Sequence, residues 1–112
     1  MVQWVAAKHV LRYLQGTIDF VLEYVRGDGL RLVGYTDSDW AGNVSDQKST
    51  SGCCFGLASA VVSWFSRKQK SVAFSNSEAE YMAASLASCE AVWLCKMLFS
   101  LFGECLEPTL IY

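Results

Sequence analysis

A chain of 112 residues, with 53% hydrophobic and 18% charged residues and a single proline, has the composition of one folded domain and excludes a disordered or low-complexity polypeptide. Its net charge of −2 gives no overall pull toward a polyanion, so nucleic-acid binding would have to rest on a local basic patch. The five cysteines, Cys53, Cys54, Cys89, Cys95 and Cys105, are odd in number and lack C-x-x-C spacing, which argues against a zinc site or a disulfide framework and fits a reducing compartment.

Trp4, Ala7, Leu11 and Leu14 recur at helical spacing and Gly16 follows as a terminator, so residues 2–15 are predicted to form an amphipathic helix with no evident N-cap. Lys8, His9 and Arg12 interrupt its apolar positions, which argues against a signal peptide and leads to the expectation of an intracellular chain, cytoplasmic or nuclear. His9 is assigned an ordinary surface or packing role. The longest uncharged stretch, Ser49 to Ser66, has the length of a membrane span but holds five Ser, one Thr and two Gly, and it reads as two short strands. No membrane association is expected.

Ile18, Phe20, Leu22 and Tyr24 alternate with their neighbours, and Arg26-Gly-Asp-Gly29 supplies turn chemistry, so strands over 18–25 and 30–37 are expected to pair as a hairpin. Residues 38–50 read as a loop. Strands over 51–57 and 61–66 form a second antiparallel pair, joined by Ala58-Ser59-Ala60, a poor hairpin turn without glycine. From Glu78 to Phe102, Met82, Leu86, Cys89, Trp93, Met97 and Leu101 make a continuous apolar stripe with alanines beside it, so a long helix is predicted over 77–102. Pro108 ends the following linker and Thr109 to Tyr112 has strand character. The fold class expected is α/β, a mixed but mainly antiparallel sheet with a long packing helix.

Asp37 ends a predicted strand whose alternation places Val33, Tyr35 and Asp37 on one side, and Glu80 lies in the first turns of the long helix. Two carboxylates brought together are costly without a cation, and Mg²⁺ takes oxygen ligands and keeps several waters. On these grounds Asp37 and Glu80 are candidates for a metal-dependent phosphoryl site. Plainer readings stand beside this one. Ser75 to Glu78 and Ser77 to Glu80 both fit the Ser-x-x-Glu capping box, and Asp37 beside Ser38 and Asp39 fits a turn. If Ser75 is the N-cap, Glu78 closes the box and Glu80 is left free. Arg67, Lys68 and Lys70, with Trp64 and Phe65 nearby, make a patch suited to phosphates or, equally, a solvated basic turn. Trp40 and Trp64 read as packing residues.

Residues 34–42, Gly-Tyr-Thr-Asp-Ser-Asp-Trp-Ala-Gly, then Asp46-Gln-Lys-Ser-Thr-Ser-Gly52, Ser63-Trp64, Ser66-Arg-Lys-Gln69 and Ser77-Glu-Ala-Glu-Tyr-Met-Ala-Ala84 resemble the ribonuclease H domain of copia-type LTR retrotransposon Pol polyproteins. The stretch Ala7-Lys-His-Val-Leu-Arg-Tyr-Leu-Gln-Gly-Thr17 resembles the connection from reverse transcriptase in the same polyproteins. The resemblance implies a connection helix over 1–16 and a partial ribonuclease H-like domain over 17–112, incomplete at its C-terminus. It implies hydrolysis of RNA in RNA–DNA hybrids with Mg²⁺, or Mn²⁺, as cofactor. It places the first family aspartate on Asp37 rather than Asp39 and the family glutamate on Glu80, with Arg67, Lys68 and Lys70 toward nucleic acid and the reverse transcriptase portion as a partner.

In the family a strand reading roughly Ile-Tyr-Cys-Asp-Asn brings the third acid, and this chain ends at Ile111-Tyr112, two residues short of that aspartate. With the third and fourth metal-binding positions beyond Tyr112, the fragment is expected to lack a competent active site. The alternative expectation is a non-catalytic, domesticated module that binds nucleic acid or another protein.

Overall fold

The computed structural model describes residues 2–25, 29, 31–42, 45–103 and 107–112. Four strands form one sheet: β1 (Leu32–Asp39), β2 (Thr50–Leu57), β3 (Ala60–Lys68) and β4 (Leu110–Ile111), in the order β3-β2-β1-β4. β1 pairs antiparallel with β2 and parallel with β4, and β2 pairs antiparallel with β3. Helices α1 (Val2–Gly16) and α2 (Asn76–Phe102) complete the described elements. The architecture is α/β with a mixed sheet and one long packing helix, compatible with a ribonuclease H-like fold.

Strand parity decides which side of the sheet is core. Opposed residues share a face, so Leu32, Gly34, Thr36 and Ser38 of β1 line up with Leu57, Phe55, Cys53 and Ser51 of β2. That face carries the buried Leu32, Cys53 and Phe55, and α2 covers it. The other face shows Tyr35, Trp64 and Tyr112 to solvent, with the Tyr35 and Tyr112 rings stacked at 5.6 Å. Trp64, read from sequence as a packing residue, is therefore 69% exposed.

Helix α2 seats itself on the sheet through Ala79, Ala83, Ala87, Ala91, Leu94 and Leu98. The bulkier stripe expected from sequence lies to the side, with Trp93 and Leu101 exposed. Small side chains let the helix axis approach the sheet without freezing rotamers, so the alanine row faces the core and the large residues flank it. By length and composition α2 would pass for a membrane span, yet its alanine face is taken up by the sheet. Ser75 is the N-cap, its Oγ accepting from the Glu78 amide at 3.1 Å, while Glu78 Oε2 accepts from the Phe74 amide at 2.7 Å. Gly103, left-handed at φ 72°, closes the other end by donating to the Phe99 carbonyl.

The expected hairpin of 18–25 with 30–37 is corrected. Among the described residues, 20–25 enter no strand ladder; Tyr24 Oη donates to the Val61 carbonyl at 2.7 Å and the Val25 amide to Ser59 Oγ at 2.9 Å. The reason lies in β1, which starts at Leu32 and has both edges occupied, by β2 and β4, leaving no edge for a strand beside it. Of the anticipated turn, Arg26 to Asp28, and Leu30 of the anticipated second strand, lie outside the described residues. The β2–β3 turn is tight despite its sequence: Leu57 pairs with Ala60, and Ala58 takes φ 53°.

Candidate active site

β1 and the first turns of α2 bring Asp37 and Glu80 to one cavity of about 260 Å³, lined also by Thr36, Ser38, Ala83 and Ala84. Parity turns Asp37 to the same face as Tyr35, away from α2, and its Oδ1 accepts from the Ser38 amide at 2.8 Å. It lines the cavity together with Thr36 and Ser38, which parity turns toward the helix. Glu80 is exposed and is not the capping residue, since Glu78 fills that role; its Oε1 accepts from Asn76 Nδ2 at 2.8 Å. Asp39 is directed elsewhere. Its carboxylate packs against Gly42, where a Cβ would collide with it, and it does not line the cavity.

The donor set is all oxygen, which suits a hard cation such as Mg²⁺ held by one or two carboxylates and otherwise by water or substrate. Among the described residues no group of three His, Cys, Asp or Glu side chains converges as a metal site. The fit is thus to a two-carboxylate partial site, not to a closed cage.

The basic residues fall on the far flank of α2. Arg67, Lys68 and Lys70 line a groove of about 580 Å³ with Gln69, Glu78, Tyr81, Met82, Ser85 and Leu86. Arg67 stacks over the Phe65 ring at 4.7 Å, and Lys68 Nζ pairs with Asp46 Oδ2 at 2.6 Å. That ion pair holds the Asp46 carboxyl below its ordinary range, chiefly through the side-chain hydrogen bond to Lys68. Tyr81, 79% exposed, also lines a smaller hollow with Ser77, Glu80 and Ala84, so the basic groove and the acidic cavity adjoin across one ridge of α2.

Sequence reasoning missed a buried polar nest beneath this ridge. Gln69, 3% exposed, donates through Nε2 to Ser51 Oγ at 2.8 Å and to the Ala79 carbonyl at 3.0 Å, and its amide donates to the Ser49 carbonyl. Ser49 Oγ accepts from the Ala41 amide at 3.1 Å. Parity with Cys53 and Phe55 would have turned Ser51 inward; Gln69 closes the stretch Ser66-Arg-Lys-Gln69 that carries the resemblance, but no periodicity marks it as buried.

The chain is 42% identical over 109 residues to the retrovirus-related Pol polyprotein from transposon RE2 of Arabidopsis thaliana, a match spanning 97% of this chain and 8% of that protein. It is 43% identical over 95 residues to the corresponding polyprotein from transposon TNT 1-94 of Nicotiana tabacum, 85% of this chain and 7% of that one. Its homologues are retrotransposon Pol polyproteins. The chain spans less than a tenth of the length of these two polyproteins. It is also 55% identical over 91 residues to a protein titled secreted RxLR effector protein 161, from Plasmopara viticola, covering 81% of this chain and 64% of that protein. No protein-family model and no solved structure matches the chain.

Proposed function

We propose that this chain is part of a ribonuclease H-like domain of a copia-type Pol polyprotein, the portion that supplies two acids to a metal-dependent site for cutting RNA in RNA–DNA hybrids. The observation that carries the reading is the shared cavity of Asp37 and Glu80, set beside a groove lined by Arg67, Lys68 and Lys70. In this role Asp37 and Glu80 hold divalent cations, and Arg67 and Lys70 receive phosphates of the hybrid, with Lys68 partly engaged by Asp46. Bound Mg²⁺ would supply an activated water and stabilise the departing oxygen. Two carboxylates give too few protein ligands to fix a pair of ions against a phosphate, so the 112-residue chain binds a hybrid weakly and does not cleave it. An intracellular location goes with the polyprotein reading, and a secreted one with the effector relative.

The test is a labelled RNA–DNA hybrid with Mg²⁺ or Mn²⁺. The chain alone should bind in a salt-dependent way without cleavage. A chimera carrying the segment that follows the matched region of the Nicotiana tabacum polyprotein should cleave, and Asp37→Asn or Glu80→Gln should abolish that cleavage. Metal-dependent cleavage by the chain alone, or a chimera indifferent to both substitutions, overturns the assignment. A non-catalytic interaction module is the second reading, favoured by the 55% identity to a protein titled an effector. Hybrid binding with an inert chimera would support it.

A further inference from the structure

We propose that Gln69 is a positioning residue for the acidic site, a clasp that fixes the start of α2 over the ends of β1 and β2 and thereby sets where Glu80 stands relative to Asp37. The inference rests on the reading of Asp37 and Glu80 as cation ligands and adds a residue to it. Gln69 follows directly on β3, yet its side chain spans two other elements. One Nε2 group donates both to Ser51 Oγ in β2 and to the Ala79 carbonyl in α2. Each anchor neighbours an acid. Ser51 adjoins Gly52, the register partner of Asp37, and Ala79 immediately precedes Glu80.

The clasp is built at some cost. Among the described residues Gln69 Oε1 is buried without a hydrogen-bond partner, as is also true of Ser38 Oγ, across the ladder from Ser51. An unsatisfied buried oxygen is destabilising, and such groups in a native fold call for a reason. Both donors of the amide are committed to the bridge, so its oxygen is turned where no described polar group meets it. An apolar side chain of the same length would fill the space without the orphan oxygen, but it would not tie α2 to β2. The feature that distinguishes Gln69 from an apolar filler is the bond across the two elements.

Groups that orient metal-binding side chains typically change affinity by tens of fold when removed. The experiment is Gln69→Met in the 112-residue chain, with Ser49→Ala as a second change in the same nest that leaves the bridge to α2 intact. Gln69→Met removes the orphan oxygen but leaves Ser51 Oγ without its donor, and Ser49→Ala leaves the Ala41 amide without its acceptor, so the two variants should stay folded with similar melting temperatures. The Mn²⁺ affinity of Gln69→Met, read by paramagnetic broadening under folding conditions, should fall roughly tenfold, while that of Ser49→Ala stays within about twofold of the parent.

A second readout needs no metal. Gln69→Met should move the backbone resonances of residues 36–38 and 80–84, beyond its own contacts at 49, 51 and 79. Shifts confined to those contacts, unchanged Mn²⁺ affinity, or equal losses in the two variants would overturn the clasp. If the parent chain binds no Mn²⁺ at Asp37 and Glu80, the metal reading fails, and the resonance shifts still decide whether Gln69 sets the geometry.

Discussion

Gly34→Ala tests the face assignment on which everything at the β1 end depends. Gly34 is buried in the central strand and pairs with Phe55 of β2, and a Cβ built on it would lie 2.5 Å from Phe55 Cε1, 3.0 Å from Cδ1 and 3.1 Å from Cζ. The ring cannot easily withdraw, because Phe55 is 0% exposed and packed in the cluster with Leu94 and Leu98. Nor can β1 shift freely, since it is hydrogen-bonded to β2 on one side and β4 on the other. Overpacking of this kind costs about 1–3 kcal/mol. For a domain of this size that lowers the melting temperature by roughly 4–12 °C, read by calorimetry or circular dichroism. Phe55→Leu should be destabilising alone by on the order of 1 kcal/mol and should recover part of the Gly34→Ala loss, a coupling expected only of residues in contact. A melting temperature within about 1 °C of the parent in Gly34→Ala, or strict additivity in the double variant, would refute the packing of the Phe55 ring against Gly34.

Ala58 holds φ 53° in the β2–β3 turn, so Ala58→Gly should stabilise the chain by about 1 kcal/mol in urea titrations, and a loss of stability would contradict that turn. Asp46→Asn releases Lys68, so hybrid binding should tighten and its salt dependence steepen by about one phosphate contact; an unchanged slope would remove Lys68 from the interface. Because Lys68 holds the Asp46 carboxyl down, the pair's contribution is present above the ordinary carboxylate range and lost as pH falls through the lowered value, and its exposure keeps that contribution slight. Burial pushes the Cys53 thiol up, so it should resist alkylation near neutral pH while exposed Cys89 reacts, as mass spectrometry of labelled peptides would report; rapid labelling of Cys53 in the folded chain would contradict its core position.

The parts of the fold legible in the sequence are those governed by neighbours along the chain. The Ser75 cap, the Glu78 return bond and the Gly103 stop fix α2 locally, and the alternation through Cys53 and Phe55 fixes β2. What the sequence left open depends on distant partners. Residues 18–25 alternate as well as β1 does, but a strand needs a free edge, and β4 returning from residues 110–111 takes the one beside β1. The apolar stripe of α2 pointed to its large residues, whereas close approach to the sheet favours the alanine row. At the candidate site, Asp37 and Glu80 were readable from motif and cap arithmetic. The Gln69 bridge was not, because its side chain joins β2 to α2, elements distant from each other in sequence.

The proposed pairing of Asp37 and Glu80 around a divalent cation is tested by residue-resolved broadening of the amide resonances by substoichiometric Mn²⁺. The residues lining their cavity, 36–38, 80, 83 and 84, should broaden first, and Asp37→Asn and Glu80→Gln should each suppress the effect in an otherwise folded chain. Broadening centred on other carboxylates, such as Asp46, or broadening at the cavity that survives both substitutions, would contradict it.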